Sequence, residues 1–181
     1  MTSGSFTRRT AVLITGAVLG WTFCPMPLKA NPAVAVNTQT AQAEHNKQIV
    51  MAAFDRWEAG GSDFFNEMLS PDVVWTIEGS GPSAGTYRGR DDFMARAVRP
   101  FVKRLLVPVR PVSKRIWADG DHVMINWDGA AVALDGRPYR NRYMWIFRIA
   151  GGKAAEVNAF LDLTPYDDVI RRIPIPEGPS E

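Results

Sequence analysis

The residues able to move protons gather in the C-terminal half of the chain. Asn126 and Asp128 sit in one strand-like run, Glu156, Asn158 and Asp162 in another, and Glu78 lies upstream. In the run Glu156-Val-Asn-Ala-Phe-Leu-Asp162 the polar groups recur at every second residue, the spacing that puts side chains on one face of a strand. Two carboxylates close together in an apolar pocket push each other's pKa values apart, so that one donates a proton and the other accepts it. The chemistry on offer is acid/base catalysis without a cofactor. Asp128 would be the base or water activator and Asp162 its acid partner. Glu156 competes for a different role, an ion pair with Lys or Arg at the sheet margin.

Two hairpins must position these groups. Asp135-Gly136 and Gly151-Gly152 are strong turn signals between β-rich runs. Closed as two-residue turns, they set Asp128 opposite Tyr143 and Asn126 opposite Trp145. They also set Trp145 opposite Asn158, Phe147 opposite Glu156 and Asn141 opposite Asp162. One face then collects Met124, Asn126, Asp128, Asn141, Tyr143, Trp145, Phe147, Glu156, Asn158, Phe160 and Asp162. The other collects Ile125, Trp127, Met144, Ile146, Val157, Ala159 and Leu161. A register slip of one residue, or a bulge at Gly129, would undo this sorting. The first face mixes aromatics with acids and amides, as a ligand pocket does. Asn126, Asn141, Asn158 and Tyr143 would orient a substrate there, and Trp75, Trp145 and Phe160 would supply apolar wall.

Upstream, Ile49, Val50, Ala53, Phe54 and Trp57 recur at helical spacing, and Gly60-Gly61 ends the helix. Ser62 is placed to cap a second short helix over 63–69. A strand over 73–78 and a third helix over 91–98 follow, the latter kinked or ended by Pro100. Residues 109–117 read as an edge strand, because Pro108 and Pro111 cannot serve a sheet interior. The tail from Pro165 reads as an irregular extension. Helices first and a strand meander after them define an α+β domain.

The chain has 181 residues, enough for one such domain with short extensions. Residues 1–35 hold Arg8, Arg9 and Lys29 and no acid, leaving 18 of the 21 basic residues against 19 acidic ones. So balanced a body gives no electrostatic reason to expect nucleic acid. Arg8-Arg9, the apolar run to Phe23 and Ala33-Val-Ala35 form an export leader of twin-arginine type, which places the mature protein in the periplasm or outside the cell. No run is long enough to span a bilayer, so stable membrane insertion after leader cleavage is not expected. The domain plan is leader 1–35, linker 36–43, domain 44–166 and a Pro-rich tail 167–181. Cleavage after Ala35 removes Cys24, the sole cysteine. His45 and His122 are far apart and form no metal-ligand motif. Arg88 and Arg90 are either surface charges before a helix or contacts for an anionic substrate.

Leu69-SPDVVWTIEG-Gly79, Tyr87-RGRDDF-Phe93 and Tyr143-MWIFRIAGGKAAEVNAFLD-Asp162 resemble the SnoaL-like branch of the nuclear-transport-factor-2-like superfamily. The resemblance covers roughly residues 44–166. It implies a cone-shaped curved mixed sheet packed on three N-terminal helices around a deep pocket, and dimers are common in that superfamily. It also implies no single reaction, since isomerases, hydrolases, dehydratases, cyclases and non-catalytic members share the fold. Epoxide hydrolases of this kind carry Arg-x-Asp on a middle strand and an Asp ending the last strand. Here Asn126-Trp127-Asp128 and Asp162 stand there, so both acids match and the arginine does not. In ketosteroid isomerases the first helix carries an oxyanion-binding Tyr where this chain has Phe54, and the base lies just after the first strand, near Glu78 here, so the resemblance implies Glu78 as the alternative base. Three expectations follow: acid/base catalysis on a small, largely apolar molecule, non-catalytic binding of such a molecule, or a structural dimerisation module. No cofactor or metal is expected, and a homodimer is among the options.

Overall fold

A computed structural model describes Met1, residues 32–61 and residues 63–175. The leader with Arg8, Arg9 and Cys24, and the cap expected at Ser62, lie outside the described residues. Helix α1 (Pro32–Glu58) buries Val50, Ala53, Phe54 and Trp57, the stripe its spacing predicts. It begins earlier than the sequence suggests. Residues 36–43, expected as a linker, are an exposed helical lead-in, and their Ala and Gln residues are good helix formers. Then come α2 (Phe64–Met68), β1 (Leu69–Ile77), β2 (Gly85–Arg88) and α3 (Arg90–Phe93). A π-helical turn, Met94–Val98, leads into α4 (Arg99–Val102). Pro100 has no N–H to donate, and the chain accommodates it in the first turn of α4 beyond that π turn instead of ending the helix.

Strands β3 (Leu105–Asp119), β4 (His122–Ala133), β5 (Pro138–Ala150) and β6 (Lys153–Leu161) complete a curved, unclosed sheet in the order β2-β1-β6-β5-β4-β3. Only β1 and β6 run parallel, so the sheet is mixed. β3 lies at the edge, and its register shifts around Pro108 and Pro111, where ladder donors are missing.

The hairpin registers differ from expectation, and each difference has a local cause. The β4–β5 turn is a three-residue loop, with Ala133 N donating to Arg137 O at 2.9 Å and Gly136 in the left-handed region at φ 79°. Asp128 therefore opposes Arg142, and Trp127 opposes Tyr143. The β5–β6 turn is the two-residue Gly151-Gly152 turn, with both glycines at positive φ. A bulge after Arg148/Ile149 then shifts the ladder, so Trp145 opposes Ala159 and Arg148 opposes Glu156. The β4–β5 ladder runs without a bulge at Gly129, which pairs regularly with Asn141, while the β3–β4 ladder shifts beside it, between Pro111 and Ser113.

As a result the β5 residues Asn141, Tyr143, Trp145 and Phe147 share the buried face with Ile125, Trp127, Val157 and Ala159. Asn126, Asp128, Glu156, Asn158 and Phe160 lie on the outer face with Met144 and Ile146.

The tail also differs. Residues Leu163–Arg172 form α5, capped by Asp162, whose Oδ1 accepts from Thr164 N at 2.9 Å. Pro165 stands in the first turn, where a proline is tolerated. Tyr166, Val169 and Ile173 bury one side of this segment against Phe101 and Tyr139.

Candidate ligand site

Between the buried face of the sheet and the helices lies a cavity of about 100 Å³. The sheet contributes Trp75, Trp127, Tyr143, Trp145, Ala159 and Leu161, and the helices Trp57, Phe65, Phe93, Phe101 and Tyr166. The rings brace one another. Trp127 stacks on Tyr143 at 4.0 Å and 10°, Trp75 on Phe93 at 4.2 Å and 16°, and Phe101 on Tyr166 at 4.2 Å and 12°. Trp145 meets Trp75 and Trp127 edge-on, at 5.1 and 4.8 Å. Such pairs contribute about 0.5–1.5 kcal/mol each beyond their burial, so the wall is stiff. No carboxylate and no carboxamide lines it.

The polar atoms of this wall are few. Asn141 Nδ2 donates to Tyr139 Oη at 2.8 Å, and the Tyr139 and Tyr143 hydroxyls are 2.8 Å apart. Two hydroxyl hydrogens share that single link, so one of them has no acceptor among the described residues. When Tyr139 is the donor, the free hydrogen is that of Tyr143, the one of the two that lines the cavity. Burial pushes Tyr139 up to about 12 and Tyr143 well above the usual phenol value, so both stay protonated at neutral pH. Tyr166 donates to Ala97 O at 3.1 Å and its pKa is likewise raised by burial. The indole Nε1–H groups of Trp75 and Trp127 are buried and have no partner. An unpaired buried donor is costly, and in a native fold it calls for an explanation.

The expected site residues divide. Trp75, Tyr143 and Trp145 line the cavity. Asn141 is buried beside it and serves as a clamp, donating to Asp162 O at 2.8 Å while accepting from Asp162 N at 3.1 Å. Asp128 is outside: Ser113 Oγ donates to it at 2.7 Å and Arg142 Nε at 2.7 Å. These donors, Arg142 first, hold its carboxyl below the usual range, which favours the charged form and makes a weak base. Asn126 donates to Tyr143 O at 3.0 Å, and Asn158 to Glu78 Oε1 at 2.8 Å. Glu156 pairs with Arg148 at 3.2 Å, and Phe160 is 45% exposed. Asp128 and Asp162 do meet along one open surface groove of about 450 Å³, together with Arg140, Asn141 and Arg142. Among the described residues no cluster of three or more His, Cys, Asp or Glu side chains could hold a metal ion.

A profile of the SnoaL-like domain matches residues 50–157. The chain belongs to the SnoaL-like family. Solved structures agree on the fold, which is that of the nuclear-transport-factor-2-like superfamily. Bal32a, from a soil-derived mobile gene cassette, superposes with a TM-score of 0.60 at 19% identity, over 72% of this chain and 99% of its own. A protein of Jannaschia sp. CCS1, described as a candidate SnoaL-like polyketide cyclase, gives 0.55 at 19% identity, over 74% and 96%. TerC, co-crystallised with polyporic acid, gives 0.54 at 19% identity, over 69% and 97%. At such identities the likeness is one of fold alone. No curated protein matches the sequence.

Several wall residues of this SnoaL-like cavity escaped the sequence reading. Trp127 was sorted to the opposite face by the one-residue register difference. Phe93 lies in the expected third helix, where nothing in the sequence marks it as a wall residue; Phe101 follows Pro100, and Tyr166 belongs to a helix hidden behind Pro165. The signal for Tyr166 was the capping Asp162 followed by apolar Tyr166, Val169 and Ile173 at helical spacing.

Proposed function

We propose that this SnoaL-like protein holds one small, largely apolar molecule in its interior cavity, and that no carboxylate acts on that molecule. The observation that carries the reading is the wall itself: rigid aromatic rings, no acid, and a few polar donors. An apolar pocket with few, fixed polar groups is the common form of a small-molecule site. The Tyr143 hydroxyl and the indole N–H groups of Trp75 and Trp127 are donors, so a carbonyl or other acceptor on the ligand would satisfy them. That a structural neighbour, TerC, was crystallised with polyporic acid is consistent with a fold that admits such molecules. The proposal includes export, from the leader signature, and leaves a homodimer as one option for its assembly.

Four of the six tryptophans, Trp57, Trp75, Trp127 and Trp145, line the cavity, so intrinsic fluorescence is a direct reporter. Titration with 3-phenylpropanamide, an apolar ring bearing one acceptor, should give saturable quenching. Ala159→Leu should weaken it, because Ala159 is 1% exposed and its side chain faces the cavity. Absence of saturable quenching with any single-ring amide or ketone of a panel would refute the reading.

A second reading keeps acid/base catalysis, at the surface groove that Asp128, Asp162 and Arg142 line together. It ranks lower because the groove is open to water and Asp128 is held charged by two donors. A turnover screen of small epoxides, enones and hydroxy-ketones, run on wild type, Asp128→Asn and Asp162→Asn, tests it. Activity lost in both variants would favour it over simple binding.

A further inference from the structure

The cavity opens into a groove of about 300 Å³, and the two share Trp57, Phe65, Val98, Val102 and Val109 in their walls. Three cations, Arg99, Lys103 and Arg110, border this mouth, and no acidic side chain lines it. Arg110 is fixed in place, its Nη2 donating to Gly60 O at 3.0 Å and its Nη1 to Val109 O at 3.4 Å. Those acceptors are neutral carbonyls, so its charge is not cancelled. Arg99 and Lys103 have no side-chain hydrogen bond or ion pair among the described residues, whereas half of the Lys and Arg residues there are paired with an acid. Arg88 and Arg90, expected either as surface charges before a helix or as contacts for an anionic substrate, line neither the cavity nor its mouth. Three uncancelled positive charges at the rim of an acid-free aromatic cavity form a polarity gradient along one path.

We propose that the ligand is a small amphipathic carboxylic acid, whose aromatic or alkyl body enters the cavity and whose carboxylate stays at the mouth between Arg99, Lys103 and Arg110. This rests on the cavity being the ligand site and adds the class and orientation of what it binds. The mouth charges attract the anion from solution, and Arg110, already anchored, offers the least mobile contact. The apolar ring is then drawn from water into a wall that lacks any competing anion.

The test compares 3-phenylpropanoate with 3-phenylpropanamide, which share ring and chain and differ in the head group, an anionic carboxylate against a neutral amide, by tryptophan fluorescence on the full-length protein. Wild type should bind the acid about five- to tenfold more tightly than the amide, as expected for several partly exposed ion contacts. Raising the salt from about 0.05 to 0.5 M should shrink that ratio by screening. The double variant R99Q/K103Q should bring the ratio towards one, and R110Q should lower it separately. Neither residue of the double variant makes a side-chain hydrogen bond or ion pair among the described residues, so the substitutions remove none from the fold. Equal binding of acid and amide by wild type, or a ratio unchanged in R99Q/K103Q, would overturn the proposal while the cavity reading stands. Binding of neither probe would overturn both.

Discussion

Gly129 offers a sharp test of how tightly the cavity wall is built. A Cβ at this position would lie 2.9 Å from Trp127 Cζ3, 3.0 Å from Tyr143 Cε2 and 3.1 Å from Val109 Cγ1. All three atoms belong to residues of the cavity wall, and two belong to the stacked Trp127–Tyr143 pair. The φ of Gly129 is not in the left-handed region, so an alanine faces no backbone strain there. The penalty is steric. Neither ring can withdraw easily, since Trp127 is 1% and Tyr143 6% exposed, with Trp145 packed against both. Overpacking of this kind costs about 1–3 kcal/mol. Taking about 2 kcal/mol, and a Tm change of about 2–4 °C per kcal/mol for a chain of this size, Gly129→Ala should lower Tm by about 4–8 °C. The same displacement should alter the near-UV circular dichroism of the aromatic stack and weaken binding of 3-phenylpropanamide. Thermal unfolding followed at 222 nm, with ligand titration on the folded variant, measures both effects. A Tm within about 1 °C of wild type and unchanged affinity would mean that the wall is loose, and the reasoning from ring packing would fail.

Other expectations follow from single contacts. Tyr143→Phe should cost about 1 kcal/mol of stability by removing the link to Tyr139, and should weaken the amide probe several-fold, read by unfolding and by fluorescence. Asp162→Ala should cost about 1 kcal/mol through loss of the α5 cap, whereas Asp162→Asn should lose much less; hydrogen exchange confined to α5 would show where the loss falls. The pKa of Asp128 is lowered in the folded state, so its contribution is present above the unfolded value of 3.8 and lost as pH falls through the lower folded value. The Tm difference between wild type and Asp128→Asn should accordingly be larger at pH 7 than at pH 3, and a difference that grows towards low pH would contradict the Arg142 pairing.

The sequence carried the architecture well because the architecture rests on strong local signals. The stripe of Val50, Ala53, Phe54 and Trp57, the glycine pairs and the prolines of β3 each have one physical meaning, and the family motifs agreed with them. The site was harder to read because its membership depends on parity. One added loop residue, Leu134 before Asp135-Gly136, and one bulge between Arg148 and Glu156 decide which alternate residues face inward. Neither carries a distinctive residue type: the loop resembles a two-residue turn, and Ala155 in the bulge is an ordinary strand residue. Asp128 and Asn158 therefore moved to the outer face while Trp127 moved in, although β4, β5 and β6 lie where the sequence puts them; the short β2 (Gly85–Arg88), at the end of a Gly- and Ser-rich stretch, carries no such signal. Asp162 changed meaning for another reason. A carboxylate ending a strand can equally be a catalytic acid or the cap of a following helix, and only α5 itself distinguishes them.

The most direct measurement of the central claim is a two-dimensional ¹H–¹⁵N spectrum of the indole N–H groups, titrated with 3-phenylpropanamide. Trp75 and Trp127 carry buried indole donors without a partner, whereas Trp117 is 48% exposed on the outer edge of β3. A ligand seated in the interior cavity should shift the Trp75 and Trp127 signals downfield, as new acceptors reach them, and leave Trp117 unchanged. Saturable binding that moves Trp117 while Trp75 and Trp127 stay still would place the ligand on the outside and contradict the account.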